Sequence, residues 1–228
     1  MRIFIDPGHG GTDSGAVGQL LHEKTVTLNV SNRVSYHLRR HSQEVVMSRT
    51  TDKTMSLSQR TSIENASKFD VAISIHCNAF NGTAKGVETY TYKGTTTQKK
   101  LASSVHNSIL SSKLYTIDRG LKTANFHMLR ETKAVAILVE LAFIDNVDDA
   151  NLLKTKQEEY AIAIAKGILN YLGVSWKDEV SNTQTSTPTN NKSLYIVSVG
   201  AYSVKENAEK MVNELKEKGY NCYIHTCN

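Results

Sequence analysis

Arg2-Ile3-Phe4-Ile5-Asp6-Pro7-Gly8-His9-Gly10-Gly11 is the stretch from which the fold can be read. Its first half is a short apolar run of the kind that forms a buried strand, and its second half is a glycine-rich turn. Such a strand delivers one imidazole, His9, into a loop at its C-terminal edge. Gly8, Gly10 and Gly11 let the backbone turn sharply and come close to whatever His9 binds. Metal ligands and catalytic bases are presented in this way, so the question is which other residues join His9.

Outward from this stretch, strands and helices alternate as far as residue 174. Strands are expected at 2–5, 43–48, 70–77, 86–92 and 135–141, and helices at 23–41, 56–68, 97–112, 147–154 and 158–172. Val26, Val30, Val34 and Leu38 recur at four-residue steps along one face of the first helix, and Gly173 is a suitable C-cap for the last. The alternation predicts an α/β fold: a mostly parallel sheet flanked by helices on both faces. Ligands of such sheets sit at the carboxyl ends of the strands, the edge to which His9 is carried.

The pattern breaks after residue 174. Ser181 to Asn191 is polar, aperiodic and holds one of the two prolines, so 175–192 reads as a flexible linker between a domain at 1–174 and a segment at 193–228. That segment reads as a small β-α-β unit. Leu194 to Tyr202 is its first strand, and a helix opens at the capping pair Ser203 and Glu206. Ala208, Met211, Val212 and Leu215 form the apolar stripe of the helix, and Tyr220 to His225 is the second strand.

Three further residues accompany His9. His76 ends the buried run Val71-Ala72-Ile73-Ser74-Ile75, at the same sheet edge. A lone histidine there would more commonly bond a backbone carbonyl, but two at equivalent edges argue for a shared task. Glu23 starts the first helix, where an acid also complements the helix dipole; the chain has by then returned to the His9 loop. Glu140 interrupts Val135-Ala136-Ile137-Leu138-Val139, where an acid is costly unless paired or metal-bound. Two histidines and a glutamate are a zinc ligand set that leaves a position open for water, and a further carboxylate then serves as general base. On this reading His9, Glu23 and His76 hold Zn2+ and Glu140 is catalytic. Asn78, His127 and Arg130 are candidates for the substrate cleft. His37, His41 and His106 read as solvated, and His22 as turned away on a helix. Cys77 alternates into the core, and Arg60 reads as an ion pair pinning a helix to the sheet.

The bulk numbers exclude several classes. The chain has 228 residues, 39% of them hydrophobic, and no apolar run approaches the roughly 20 residues of a membrane span. Three cysteines, Cys77, Cys222 and Cys227, do not make a disulfide framework. The net charge of +5 arises within 1–174, since 175–228 carries six residues of each sign. This favours an anionic partner, whether nucleic acid, a membrane surface or an anionic cell-wall polymer; with no block of Lys and Arg and no basic-aromatic stripe, nucleic acid is the least expected of these. With no signal-peptide pattern at the N-terminus, synthesis in the cytoplasm is expected.

The motifs Asp6-Pro7-Gly8-His9-Gly10-Gly11, Glu23-Lys24, Ser74-Ile75-His76-Cys77-Asn78 and Val139-Glu140-Leu141-Ala142-Phe143 resemble, in this order, the zinc-dependent N-acetylmuramoyl-L-alanine amidases of the amidase-3 type. The resemblance covers about 1–172. It implies cleavage of the peptidoglycan amide between the lactyl group of N-acetylmuramic acid and L-alanine, with the zinc set and Glu140 as above. Ala142 stands where the family has glycine, and His127 where an aromatic or aliphatic residue is more usual. The tail resembles the first half of a peptidoglycan-binding SPOR module, which could also dimerise. Such an enzyme would act on the wall after release by phage or mother-cell lysis, as an endolysin or sporulation autolysin. The competing readings are another zinc amide hydrolase, a peptidase or deacetylase, and a non-catalytic wall-binding protein.

Overall fold

The computed structural model describes residues 1–112, 114, 117–178 and 205–217. In chain order the elements are β1 (Arg2–Pro7), β2 (Val17–Gly18), β3 (Leu21–His22), α1 (Glu23–Arg40), β4 (Glu44–Met47), α2 (Leu57–Asn65), β5 (Val71–Asn78), β6 (Val87–Thr91), α3 (Thr96–Ser111), β7 (Asp118–Thr123), α4 (His127–Arg130), β8 (Val135–Phe143), α5 (Val147–Thr155), α6 (Gln157–Tyr171) and α7 (Lys205–Glu217). The chain divides into two units, Met1–Asp178 and Glu179–Asn228. In the second unit, α7 agrees with the expected helix and half-buries Ala208, Met211, Val212 and Leu215. The flanking strands, Ser203, residues 179–192 of the expected linker, Cys222 and Cys227 lie outside the described residues.

The first unit is an α/β structure around a six-stranded sheet of order β4-β1-β5-β8-β6-β7. β4, β1, β5 and β8 are parallel neighbours. Their apolar runs are nearly continuous because both faces are covered. On one face α1, α3 and α6 bury Val30, Leu101 and Ile164 against Ile5, Ile73 and Val139; on the other, Met128 and Leu129 of α4 pack on Phe4, Ala72 and Leu138. Each fully buried Val, Leu or Ile contributes about 1.5–3 kcal/mol. β6 pairs antiparallel with β8, and β7 parallel with β6. Neither this reversal nor β7 was expected, because Asp-Arg-Gly-Leu-Lys-Thr carries no apolar alternation.

Three histidines expected to be solvated are buried. His106 lies between the Thr89 hydroxyl (3.0 Å) and Asp118 (2.7 Å). His37 sits 2.6 Å from Glu158. His41 is stacked beneath Trp176, with ring centroids 4.5 Å apart. The periodicity of its own helix leaves each exposed, whereas a neighbouring element covers it. Residues 174–178 thus continue the packed unit. His22 lies in β3, exposed, directly before α1. Cys77 is buried and free, as expected.

Candidate metal centre

Four elements converge at the carboxyl edge of the parallel strands. The loop after β1 carries His9, α1 begins with Glu23, β5 carries His76, and β8 carries Glu140 as the ladder partner of His76. His9 has a φ of +59°, a conformation that costs a non-glycine residue about 1–2 kcal/mol. Two buried arginines hold the loop in that shape by charge-assisted bonds to its inward carbonyls. Arg60 donates to Pro7 O (2.6 Å), His9 O (2.6 Å) and the Asp6 carboxylate (2.8 Å). Arg49 donates to Gly8 O (2.7 Å) and to Lys24 O at the start of α1 (2.8 Å). The helix-to-sheet ion pair expected of Arg60 is present; Arg49 was not singled out.

Glu23 lies between the two imidazoles. Its Oε2 is 3.2 Å from His9 Nε2 and accepts the Ala16 N–H; its Oε1 is 3.0 Å from His76 Nδ1 and accepts the Cys77 N–H. The rings meet edge to face with centroids 5.1 Å apart. His9 Nδ1 is 2.9 Å from Asp13 Oδ2, which turns Nε2 toward the centre. Burial opposes charge on both rings, yet hydrogen bonding and charge from Glu23 outweigh it: His9 is raised to about 9, and His76 is raised as well. Burial likewise opposes ionisation of Glu23, and the two histidines hold its carboxyl well below the usual range.

The donor set suits a divalent cation. Ligand atoms of His9, Glu23 and His76 gather within 4.8 Å of one another. Tetrahedral zinc at about 2.1 Å from each ligand requires roughly 3.4 Å between them, close to the 3.0 and 3.2 Å contacts of Glu23. The space is kept open by glycine. A Cβ on Gly8 would stand 2.4 Å from the His76 ring, and one on Gly15 would stand 2.6 Å from both Glu23 Oε2 and the His9 ring.

Glu140 faces this cluster half-buried, with Oε2 lacking any hydrogen-bond partner among the described residues. Burial pushes its carboxyl up to about 7, with the nearby His76 working in the opposite direction. Of the cleft candidates, Asn78 ends β5 two residues beyond His76, its Oδ1 accepting from Ala79 N. His127 starts α4 and lies 3.3 Å from Thr61. Arg130 is bonded to Asn125 and Glu131 on the surface. Neither His127 nor Arg130 contacts the four central residues. Two acids were missed. Asp13, four residues after His9, could have been found as a loop carboxylate beside a histidine. Glu88, the ladder partner of Glu140 on β6, is buried, but in Val-Glu-Thr-Tyr-Thr it reads as the polar side of an exposed strand.

Comparison with known proteins agrees with this architecture. Residues 3–170 match the N-acetylmuramoyl-L-alanine amidase family, and residues 175–226 match the SPOR domain. A sporulation-specific N-acetylmuramoyl-L-alanine amidase of Bacillus subtilis is 38% identical over 98% of this chain and 84% of its own length. The endolysin of Bacillus phage SPP1 is 34% identical over 91% of this chain and 77% of its own. The crystal structure of an N-acetylmuramoyl-L-alanine amidase from Clostridium difficile 630 superposes with a TM-score of 0.73 at 36% identity, covering 75% of this chain and 96% of that one. The chain belongs to the N-acetylmuramoyl-L-alanine amidase family.

Proposed function

We propose that this chain hydrolyses the amide between the lactyl group of N-acetylmuramic acid and L-alanine in peptidoglycan, using Zn2+ held by His9, Glu23 and His76, with Glu140 as general base. The observation that carries the proposal is the pairing of His76 with Glu140 across the β5–β8 ladder, which sets a carboxylate beside the three-residue donor set. Bound zinc supplies Lewis-acid polarisation of the scissile carbonyl and acidifies a water. The Glu140 carboxylate accepts the proton of the attacking water. As the C–N bond breaks, it returns that proton to the departing amine of L-alanine. Asp13 keeps His9 in the tautomer that aims Nε2 inward, and Arg49 and Arg60 hold the loop that carries it. The tail, similar to a SPOR domain, would retain the enzyme on glycan, alone or as a dimer. Both the sporulation enzyme and the endolysin among its relatives suit action on the wall after release from a lysing cell.

Mass spectrometry of digested peptidoglycan tests the reading. New L-alanine amino termini, lost with chelator and regained with zinc, are expected, and Glu140→Gln should slow their release by about 100-fold or more. Release of acetate instead would identify a deacetylase and overturn the assignment of the bond.

A further inference from the structure

The row of site residues does not stop at Glu140. Glu88 lies directly opposite it on β6, and beyond β6 the sheet ends in β7. Val87 pairs with Asp118 and Thr89 with Leu121, so Arg119 and Gly120 together oppose the single residue Glu88. This is a β-bulge, and Gly120, at φ +79°, takes the conformation that makes it possible. In a regular strand, residues 119 and 122 would point to opposite faces. The extra residue puts both on Glu88: Arg119 Nε donates to Oε1, and Lys122 Nζ lies 3.0 Å from Oε2. The Tyr90 hydroxyl also donates to Glu88.

One buried carboxylate therefore faces two cations, and a positive charge is left over at the sheet edge. Arg119 engages Glu88 through Nε alone. Its two terminal nitrogens have no hydrogen-bond partner among the described residues, and the side chain, over the Phe143 ring at 4.9 Å, is 34% exposed. Lys122 is 37% exposed. A clamp joining β6 to β7 would need only one cation with its fork turned inward. Here the bulge adds a second cation, and the planar donor pair of the first stays available.

We infer that Arg119 and Lys122, positioned by Glu88, bind a carboxylate of the peptide stem, that of the second residue beyond the cleaved bond. The inference rests on the amidase reading above. Strands lie about 4.8 Å apart, so β7 runs roughly 10 Å across the sheet from β8. An extended peptide advances about 3.5 Å per residue, which brings the second residue within reach of an arginine side chain pointing back toward Glu88. In peptidoglycan that residue is a γ-linked glutamate whose α-carboxyl is free in some walls and amidated in others. A guanidinium fork distinguishes the two, because it pairs with both oxygens of a carboxylate but meets the NH2 of an amide.

The test uses the full chain and two synthetic muramoyl peptides that differ only in the free acid or amide at this position. The wild type is expected to favour the acid by about 10-fold or more in kcat/KM. Arg119→Gln should bring the ratio near one, chiefly through KM for the acid substrate. Arg119→Lys should restore part of the preference, and Lys122→Met should lower it to a smaller extent. Equal use of both substrates by the wild type overturns the inference while leaving the amidase reading intact. An Arg119→Gln or Lys122→Met enzyme that loses rate on both substrates alike, keeping the preference, also overturns it. Failure of the wild type to cleave either substrate overturns the amidase reading itself.

Discussion

His9 and His76 meet edge to face at one end of α1, and His37 and His41 lie together at the other. The nitrogens of the two pairs face different partners. At the first, each ring turns a nitrogen to one oxygen of the Glu23 carboxylate, and Gly8 and Gly15 leave room around them. At the second, His41 Nδ1–H donates to His37 O while Nε2 accepts the Lys177 N–H, so backbone consumes both nitrogens. His37 reaches Glu158 through Nε2, and both rings pack against Trp176. At the first pair two imidazoles converge on one carboxylate in an open space, the arrangement that suits a divalent cation. At the second, Glu158 meets His37 alone, and His37 Nδ1 is buried without a hydrogen-bond partner among the described residues.

The comparison breaks if the first pair proves no more metal-binding than the second. Glu23→Ala removes the shared anion and is expected to lower zinc affinity by more than about 100-fold, the upper range for supporting residues around metal ligands. Isothermal titration of the metal-free chain with zinc reads this directly, and unchanged affinity would refute the ligand set. Asp6→Asn tests the frame behind the site. It leaves Arg60 buried without its counter-charge and should cost about 3–5 kcal/mol in denaturant unfolding. Burial alone would raise the Asp6 carboxyl, but Arg60 and Ser48 outweigh it and hold the group below its ordinary value. A depressed carboxyl stabilises the fold above its unfolded pKa, near 3.9, and that stabilisation is lost as pH falls through the folded value. The variant should therefore lose less stability than the wild type on acidification below about pH 4.

Gly8→Ala sharpens the comparison without touching a ligand. The added methyl must displace the His76 ring, so zinc affinity should fall about 10- to 100-fold with circular dichroism unchanged. The smallest effect is expected at the second pair. His41→Phe keeps a ring beneath Trp176 but loses two hydrogen bonds, a cost of about 1–3 kcal/mol. Zinc affinity should be untouched. Trp176 is the single tryptophan of the chain, so its emission reports the altered stack directly. A loss of zinc affinity here would show that the two histidine pairs are not independent.

Much of the site was legible because its residues break local rules. Glu140 stands in an apolar run, His76 ends one, and His9 sits in a glycine loop. Each is expensive or odd where it lies, and function is a common reason for such expense. Glu88, Arg119 and Lys122 break no local rule, because charged residues on short polar strands are ordinary. Only the bulge at Gly120, which depends on how β6 and β7 pair, sets both cations on one carboxylate. His37, His41 and His106 are buried against expectation for a related reason. Helical periodicity gives the face of a residue on its own helix but not the neighbour that covers that face.

The sequence by itself determined the α/β alternation and the carboxyl edge as the place where His9, Glu23, His76 and Glu140 gather. These follow from local periodicity and from the cost of burying charge, both of which act within a few residues of chain. The tertiary structure decided the reversal of β6 and the pairing of Glu140 with Glu88. It also decided the clamping of the His9 loop by Arg49 and Arg60 and the burial of the second histidine pair. Each of these depends on which distant backbone or side chain meets a given group, and that is settled only when the sheet and helices close on one another.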